Sequence, residues 1–300
     1  MPKVVVVGSA NVDFTVAVDH LPAAGETVLG KDFYQSLGGK GANQAVAALR
    51  AGAEVTFLAK LGADAHGQQL ELHLSFLGLP RDSLLRDPNH PTGVALIMVD
   101  QAGLNMIAVA PGSNQSLSVE EVKRSSSLIA QARVLLAQLE VPLPAVLEAL
   151  RIAKKQGVLT ILNPAPAQPL SPDILKLVDV LTPNEGEAQA LTGQADVAAA
   201  ARTLVGQGVT SVVVTLGEQG ALLVNTEGSR LFPPFQVNTV DTTAAGDAFC
   251  GALACALAEG RSMEDAIVFA NAAGALTTTK RGAQDTLPIR SDIEQLCRSR

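Results

Sequence analysis

Two carboxylates, Asp241 and Asp247, bracket the short run Thr242-Thr243-Ala244-Ala245-Gly246, and an apolar stretch follows directly to Leu257. Small residues at a helix start let free backbone N–H groups approach an anion closely, and the helix dipole favours negative charge there. A phosphate suits that place. A carboxylate cannot be there to bind the anion, so Asp247 needs another task, and accepting the proton of an attacking hydroxyl is the chemistry that fits. The competing reading makes Asp241 and Asp247 ordinary helix-capping acids. This stretch alone leaves both open.

Further clusters have the polarity to work with such a site. The turn Gly38-Gly39-Lys40-Gly41-Ala42-Asn43 runs into an Ala-rich helix closed by Gly52. It is not the P-loop pattern, since Gly41 and Ala42 follow Lys40, but its glycines admit a polar ligand to the backbone while Lys40 and Asn43 add donors. Asn11-Val12-Asp13 reads either as an Asx turn ending the first strand or, if extended, as an amide and a carboxylate on one face, suited to sugar hydroxyls. Thr215-Leu216-Gly217-Glu218-Gln219-Gly220 is either a hairpin turn or a place where a nucleotide lies against backbone. Lys280 and Arg281 read as solvated loop charges.

These residues need a frame. Lys3 to Val7 is an apolar run of the kind found in a central strand covered on both faces. From Val55 onward VTFLAKLG, VLLAQLE, VLTILNPAP, VDVLTPN and SVVVTLG alternate with helical stretches, which predicts βαβ units around a parallel sheet. Polar residues gather at the C-terminal ends of these strands: Glu140, Asn163, Asn184 with Glu187, and Thr215 with Gly217. Ligands bind at that edge of open α/β sheets. Residues 15–37 and 92–109 break the pattern as short strands of a small antiparallel sheet, the second a hairpin around Gln101-Ala102-Gly103, and together they predict a flap that closes over substrate or forms a dimer surface. The remaining segments, 1–14, 38–91 and 110–300, form the α/β body.

Composition excludes several classes. The chain has 300 residues, 47% hydrophobic and 17% charged, enough for a large core. A net charge of -7 without a basic run argues against nucleic acid or an anionic membrane as partner. No apolar run is long enough to span a bilayer, and MPKVVVVGSA enters a strand without a leader, so a cytoplasmic protein is expected. Cys250, Cys255 and Cys297 lack metal or disulfide spacing, and His20, His66, His73 and His90 are scattered, as surface or loop residues would be. A GxGxxG after the first strand is missing, which weighs against a nicotinamide-dependent oxidoreductase.

The ordered motifs GSANVD, GGKGANQA, LNPAPA, TPNEGE, TLGEQG, DTTAAGD and KRGAQ resemble the ribokinase-like carbohydrate kinase family over nearly the whole chain. Ala244 and Ala245, where many members read GAGD, favour its ribokinase branch. The resemblance implies a three-layer α/β/α sandwich with a mostly parallel sheet and a small β-sheet lid. It implies transfer of the γ-phosphate of ATP to the 5-hydroxyl of D-ribose, with Asp247 as base and the N–H groups of Ala244, Ala245, Gly246 and Asp247 as anion hole. Ribose would meet Asn11, Asp13, Gly39, Lys40, Gly41, Asn43 and Glu140. The nucleotide would meet Asn184, Thr215, Gly217, Gly220, Gly246 and Asn271, with Asn184 and Glu187 organising Mg2+ and phosphate. A monovalent cation, K+, would lie against Asp241, Thr243, Thr277, Lys280, Gly282 and Thr286, and a homodimer would form through the lid. Another sugar, such as 2-deoxyribose or fructose, a nucleoside, or a non-catalytic sugar-binding role are the rival readings. Gly186, early in its helix, departs from expectation at up to about 1 kcal/mol.

Overall fold

The computed structural model describes residues 1–299. Valines 4 to 7 show why the centre forms as it does. In β1 (Lys3–Val7) side chains alternate between faces, so Val4 and Val6 enter one hydrophobic core and Val5 and Val7 the other. Around it lie β4 (Glu54–Gly62), β5 (Leu84–Asp87), β8 (Val134–Ala137), β9 (Leu159–Leu162), β10 (Val180–Leu181), β11 (Ser211–Thr215), β12 (Ala221–Asn225) and β13 (Gly228–Phe232), in the order β13-β12-β11-β10-β9-β8-β1-β4-β5. The pairs from β11 through to β5 are parallel; β11/β12 and β12/β13 are antiparallel.

Helices cover both faces. Those at Lys40–Arg50, Ala245–Ala258 and Met263–Thr277 bury small apolar residues in the core of Val4 and Val6. The helices Leu143–Lys155 and Val197–Gly206 bury theirs in the core of Val5 and Val7. Alanine dominates the first group, which lets the Lys40 and Ala245 helices approach closely: a Cβ on Gly251 would stand 2.5 Å from the Ala47 Cβ.

A second sheet contains β2 (Asn11–Ala17), β3 (Asp32–Gly38), β6 (Gly93–Val99) and β7 (Asn105–Ala110), ordered β3-β2-β6-β7. It differs from the sequence reading in two ways. The small sheet begins at Asn11, not Thr15, so Asn11 and Asp13 are strand residues of that sheet and no Asx turn ends the first strand. The sheet is also mixed, because β2 pairs with β6 in parallel while β2/β3 and β6/β7 are antiparallel. The hairpin around Gln101 to Gly103 forms as read, its turn held by Asp100 Oδ1, which accepts from the N–H groups of Ala102 and Leu104 at 2.9 Å.

Candidate active site

Two helices begin side by side at the C-terminal edge of the main sheet, and neither start is capped by a side chain. The Lys40 helix follows Gly39, whose φ of 87° and whose closeness to Ala10 and Asn11 leave no room for a Cβ. The Ala245 helix follows Ala244, a non-glycine residue at φ 60°. Asp247 lies inside the first turn, but its carboxylate turns away from its own helix: Oδ2 accepts from Asn43 Nδ2 at 2.9 Å and Oδ1 from Gln44 Nε2 at 3.0 Å. The capping reading of Asp247 therefore fails. Asp241 makes a tight local turn instead, Oδ1 accepting from the Thr243 N–H at 2.9 Å and hydroxyl at 2.7 Å, and Oδ2 from the Gly282 N–H at 3.1 Å.

Around Asp247 the structure gathers Asp13, Lys40, Asn43 and Glu140. Burial pushes the Asp247 carboxyl up from its ordinary value, against the pull of Lys40 and of the Asn43 and Gln44 amides. Asp13 rises to about 7, first through burial and then through the charges of Glu140 and Asp247. Burial works to lower Lys40, but the carboxylates of Asp247, Glu140 and Glu187 outweigh it and hold the ammonium protonated. Glu140 is fixed by the Lys40 N–H at 3.0 Å and by the Ser9 hydroxyl. Asp13 Oδ1 and Asn43 Oδ1 are buried acceptors without a protein donor, which is what hydroxyls of a polar guest would supply. Asn11 is buried beside them, its Oδ1 accepting from Asn114 Nδ2 at 2.7 Å. Gly41 lets the helix start press on Ser9, where a Cβ would stand 2.5 Å from the Ser9 nitrogen.

A cavity of about 660 Å3 opens on the other side of the Ala245 helix start, with Ala245 and Gly246 in its wall. Asn184, Thr215, Gly217, Gly220 and Asn271, which the sequence reading grouped as nucleotide contacts, line it together. The Gly217 segment is also the hairpin its glycines allowed, a single turn at Gly217–Gln219 joining β11 to β12. Asn184 and Glu187 form a capping box: the Asn184 N–H donates to Glu187 Oε2 at 2.9 Å and the Glu187 N–H to Asn184 Oδ1 at 2.8 Å. Asn184 is thereby fixed on the cavity wall, while Glu187 folds back onto the Asn184 backbone.

The segments holding Asp241 and Thr243, and Thr277, Lys280, Gly282 and Thr286, are tied together by the Asp241–Gly282 bond and by the Val240 N–H donating to the Thr278 carbonyl at 2.7 Å. Burial works to raise Asp241, but the Thr243 and Gly282 donors and Arg281 outweigh it and keep the carboxylate ionised. Lys280 and Arg281 are exposed. Among the described residues no group of His, Cys, Asp and Glu has the arrangement of a metal centre. His66 and His73, read as surface or loop residues, sit half-buried on the helix Ala65–Leu77.

Sequence reasoning missed Ser9, Gln44, Asn114 and Gln138, and placed Asn163 only as a polar strand end. Gln44 was the most accessible of these. It is fully buried in an Ala-rich helix, where an amide is costly unless bonded.

Residues 1–290 match the pfkB family carbohydrate kinase. The bifunctional ribokinase/ribose-5-phosphate isomerase A of Fructilactobacillus sanfranciscensis is 42% identical over 300 residues, covering 98% of this chain and 56% of that protein, so the chain spans little more than half its length. The ribokinase of Haemophilus influenzae is 41% identical over 292 residues, covering 96% of this chain and 95% of its own. Arabidopsis thaliana ribokinase, solved in complex with ribose and ATP, superposes with a TM-score of 0.92 at 33% identity, covering 99% of this chain and 98% of its own. On a family match across nearly its whole length, the chain belongs to the pfkB family of carbohydrate kinases.

Proposed function

We propose that the chain transfers the γ-phosphoryl group of ATP, taken as MgATP, to the 5-hydroxyl of D-ribose, giving D-ribose 5-phosphate and ADP. The observation that carries this is Asp247, a buried carboxylate between the polar cluster of Asp13, Lys40, Asn43 and Glu140 and the cavity lined by Asn184, Thr215 and Asn271. Ribose lies in the cluster, against Asn11, Asp13, Gly39, Lys40, Gly41, Asn43 and Glu140. The nucleotide lies in the cavity, its phosphates towards Gly246. Asp247 takes the hydroxyl proton as the oxygen forms its bond to the γ-phosphorus and the bond to the β-γ bridging oxygen breaks. The N–H groups of Ala244, Ala245, Gly246 and Asp247 stabilise the charge on the transferring group, and Lys40 offsets the charge near Asp247. Asn184 and Glu187 help organise the phosphates and their Mg2+.

Potassium fits the segments of Asp241, Thr243, Thr277, Lys280, Gly282 and Thr286, because Asp241 stays ionised and the rest are rich in hard oxygen donors. When bound there it supplies fixed positive charge beside the anion hole. The face of the small sheet opposite Asn11 and Asp13, where Phe33, Leu96 and Met106 are exposed, is the homodimer surface in this reading, and the protein works in the cytoplasm.

The test is ADP release from MgATP with K+, comparing D-ribose, 2-deoxyribose, fructose and adenosine, repeated with Asp247→Asn. Ribose should lead, and the variant should lose about 10²- to 10⁴-fold or more in turnover while keeping sugar and nucleotide binding. Unchanged turnover would place the base elsewhere, and a different leading substrate would overturn the assignment to ribose.

A further inference from the structure

Behind Asp247 runs a chain of buried side-chain amides. Asn163 Nδ2 donates to the Thr182 carbonyl at 2.9 Å, Gln44 Nε2 donates to Asn163 Oδ1 and to Asp247 Oδ1, both at 3.0 Å, and Gln138 Nε2 donates to Gln44 Oε1 at 2.6 Å. The order of these bonds is not free. A backbone carbonyl only accepts, so Asn163 must turn its NH2 to Thr182 and its oxygen to Gln44. Gln44 must then present its NH2, and its second hydrogen reaches Asp247. Gln138 follows that sense, donating its Nε2 to the Gln44 oxygen, while its own Oε1 is buried without a protein partner. Every polar atom of the Gln44 side chain is used, at zero exposure.

We propose that Gln44 is a positioning residue for the phosphoryl transfer, orienting the Asp247 carboxylate through an amide chain whose polarity is set by the Thr182 backbone carbonyl. This rests on Asp247 being the base. With Gln44 on Oδ1 and Asn43 on Oδ2, each oxygen keeps one lone pair, and the plane of the carboxylate is fixed for a hydroxyl arriving from the sugar side.

The experiment is kcat against pH at saturating ribose and MgATP for the full chain, Gln44→Met and Gln44→Glu, with Asp247→Asn as reference. The groups facing Asp247 are Lys40 on its helix, Glu140 after β8, Asp13 on β2, Glu187 in its capping box and Cys250 on the same helix; all remain in every Gln44 variant. Gln44→Met removes a donor to a carboxylate, so kcat should fall roughly 10- to 100-fold and the acid limb should move to higher pH by about one pH unit, with KM for MgATP unchanged. Gln44→Glu keeps the size and the contact with Gln138 but offers at most one donor, so its activity should fall progressively as pH rises and the new acid ionises beside Asp247. It also decides the matter should the methionine variant not fold. A purely structural role predicts lower melting temperature with the pH profile unmoved, and that result in either variant overturns the inference. If Asp247→Asn stays active the reading of the base falls with it; if Asp247→Asn is dead and the Gln44 profiles match the parent, only the role of Gln44 falls.

Discussion

Replacing Asp13 by asparagine should make the sugar-free protein more stable above neutral pH and worse at holding sugar. Burial, reinforced by Glu140 and Asp247, lifts the Asp13 carboxyl from 3.8 to about 7. An acid raised in the folded state makes folding take up a proton between those values, so stability falls as pH rises through this window and the whole cost is present above it. The cost of the ionised form is about 4 kcal/mol, and about 2 once solvent reaching the half-buried side chain is allowed for. For 300 residues, at about 2.1 cal/mol/K each, this corresponds to a melting temperature about 3–6 °C higher for Asp13→Asn near pH 8. Near pH 4 the two proteins should melt together. Thermal unfolding followed by circular dichroism across this range measures it, with ribose titration beside it, where loss of a charged acceptor should weaken binding by about 10-fold or more. Equal pH dependence in both proteins would refute the account of Asp13 as a strained, buried acid.

Ala244→Gly should raise stability by up to about 1 kcal/mol, because φ 60° is strained for alanine and free for glycine, less the entropy that glycine adds to the unfolded chain; denaturant midpoints would read it. Gly39→Ala should abolish sugar binding or folding, since its Cβ would stand 2.8 Å from Ala10 Cα and Asn11 N at φ 87°, and calorimetry with ribose separates it from a silent change. Exchanging K+ for a large organic cation should slow turnover, and equal rates in both salts would remove the ion from the segments of Asp241 and Gly282.

Much of the frame was legible because apolar β-branched runs announce buried parallel strands, and those between Val55 and Leu216 all became strands of the main sheet. The lid boundary was less so. Only Gly8, Ser9 and Ala10 separate β1 from β2, and a polar pair at Asn11 and Asp13 fits a turn or a strand equally until its partners are known. The parallel pairing of β2 with β6 depends on register between segments about eighty residues apart, which no local pattern encodes. Asp247 stood out by its neighbours in sequence. Gln44 and Gln138 did not, and Asn163 did so only as a polar strand end, because what makes them matter is the direction of hydrogen bonds across four separate elements.

The membership of β2 in the small sheet has a consequence for energy use. Asn11 and Asp13 ride on the small sheet, whereas Lys40, Asn43 and Asp247 belong to the body. In the proposed reading, the sugar site is therefore split across a joint, and swinging the small sheet outward divides it. Measured affinity for sugar then equals the intrinsic affinity scaled by the fraction of molecules with the halves together. A lone water cannot bridge both halves, so it gains little from bringing them together, and futile ATP hydrolysis is discouraged by the same arrangement that rewards a sugar long enough to touch both sides.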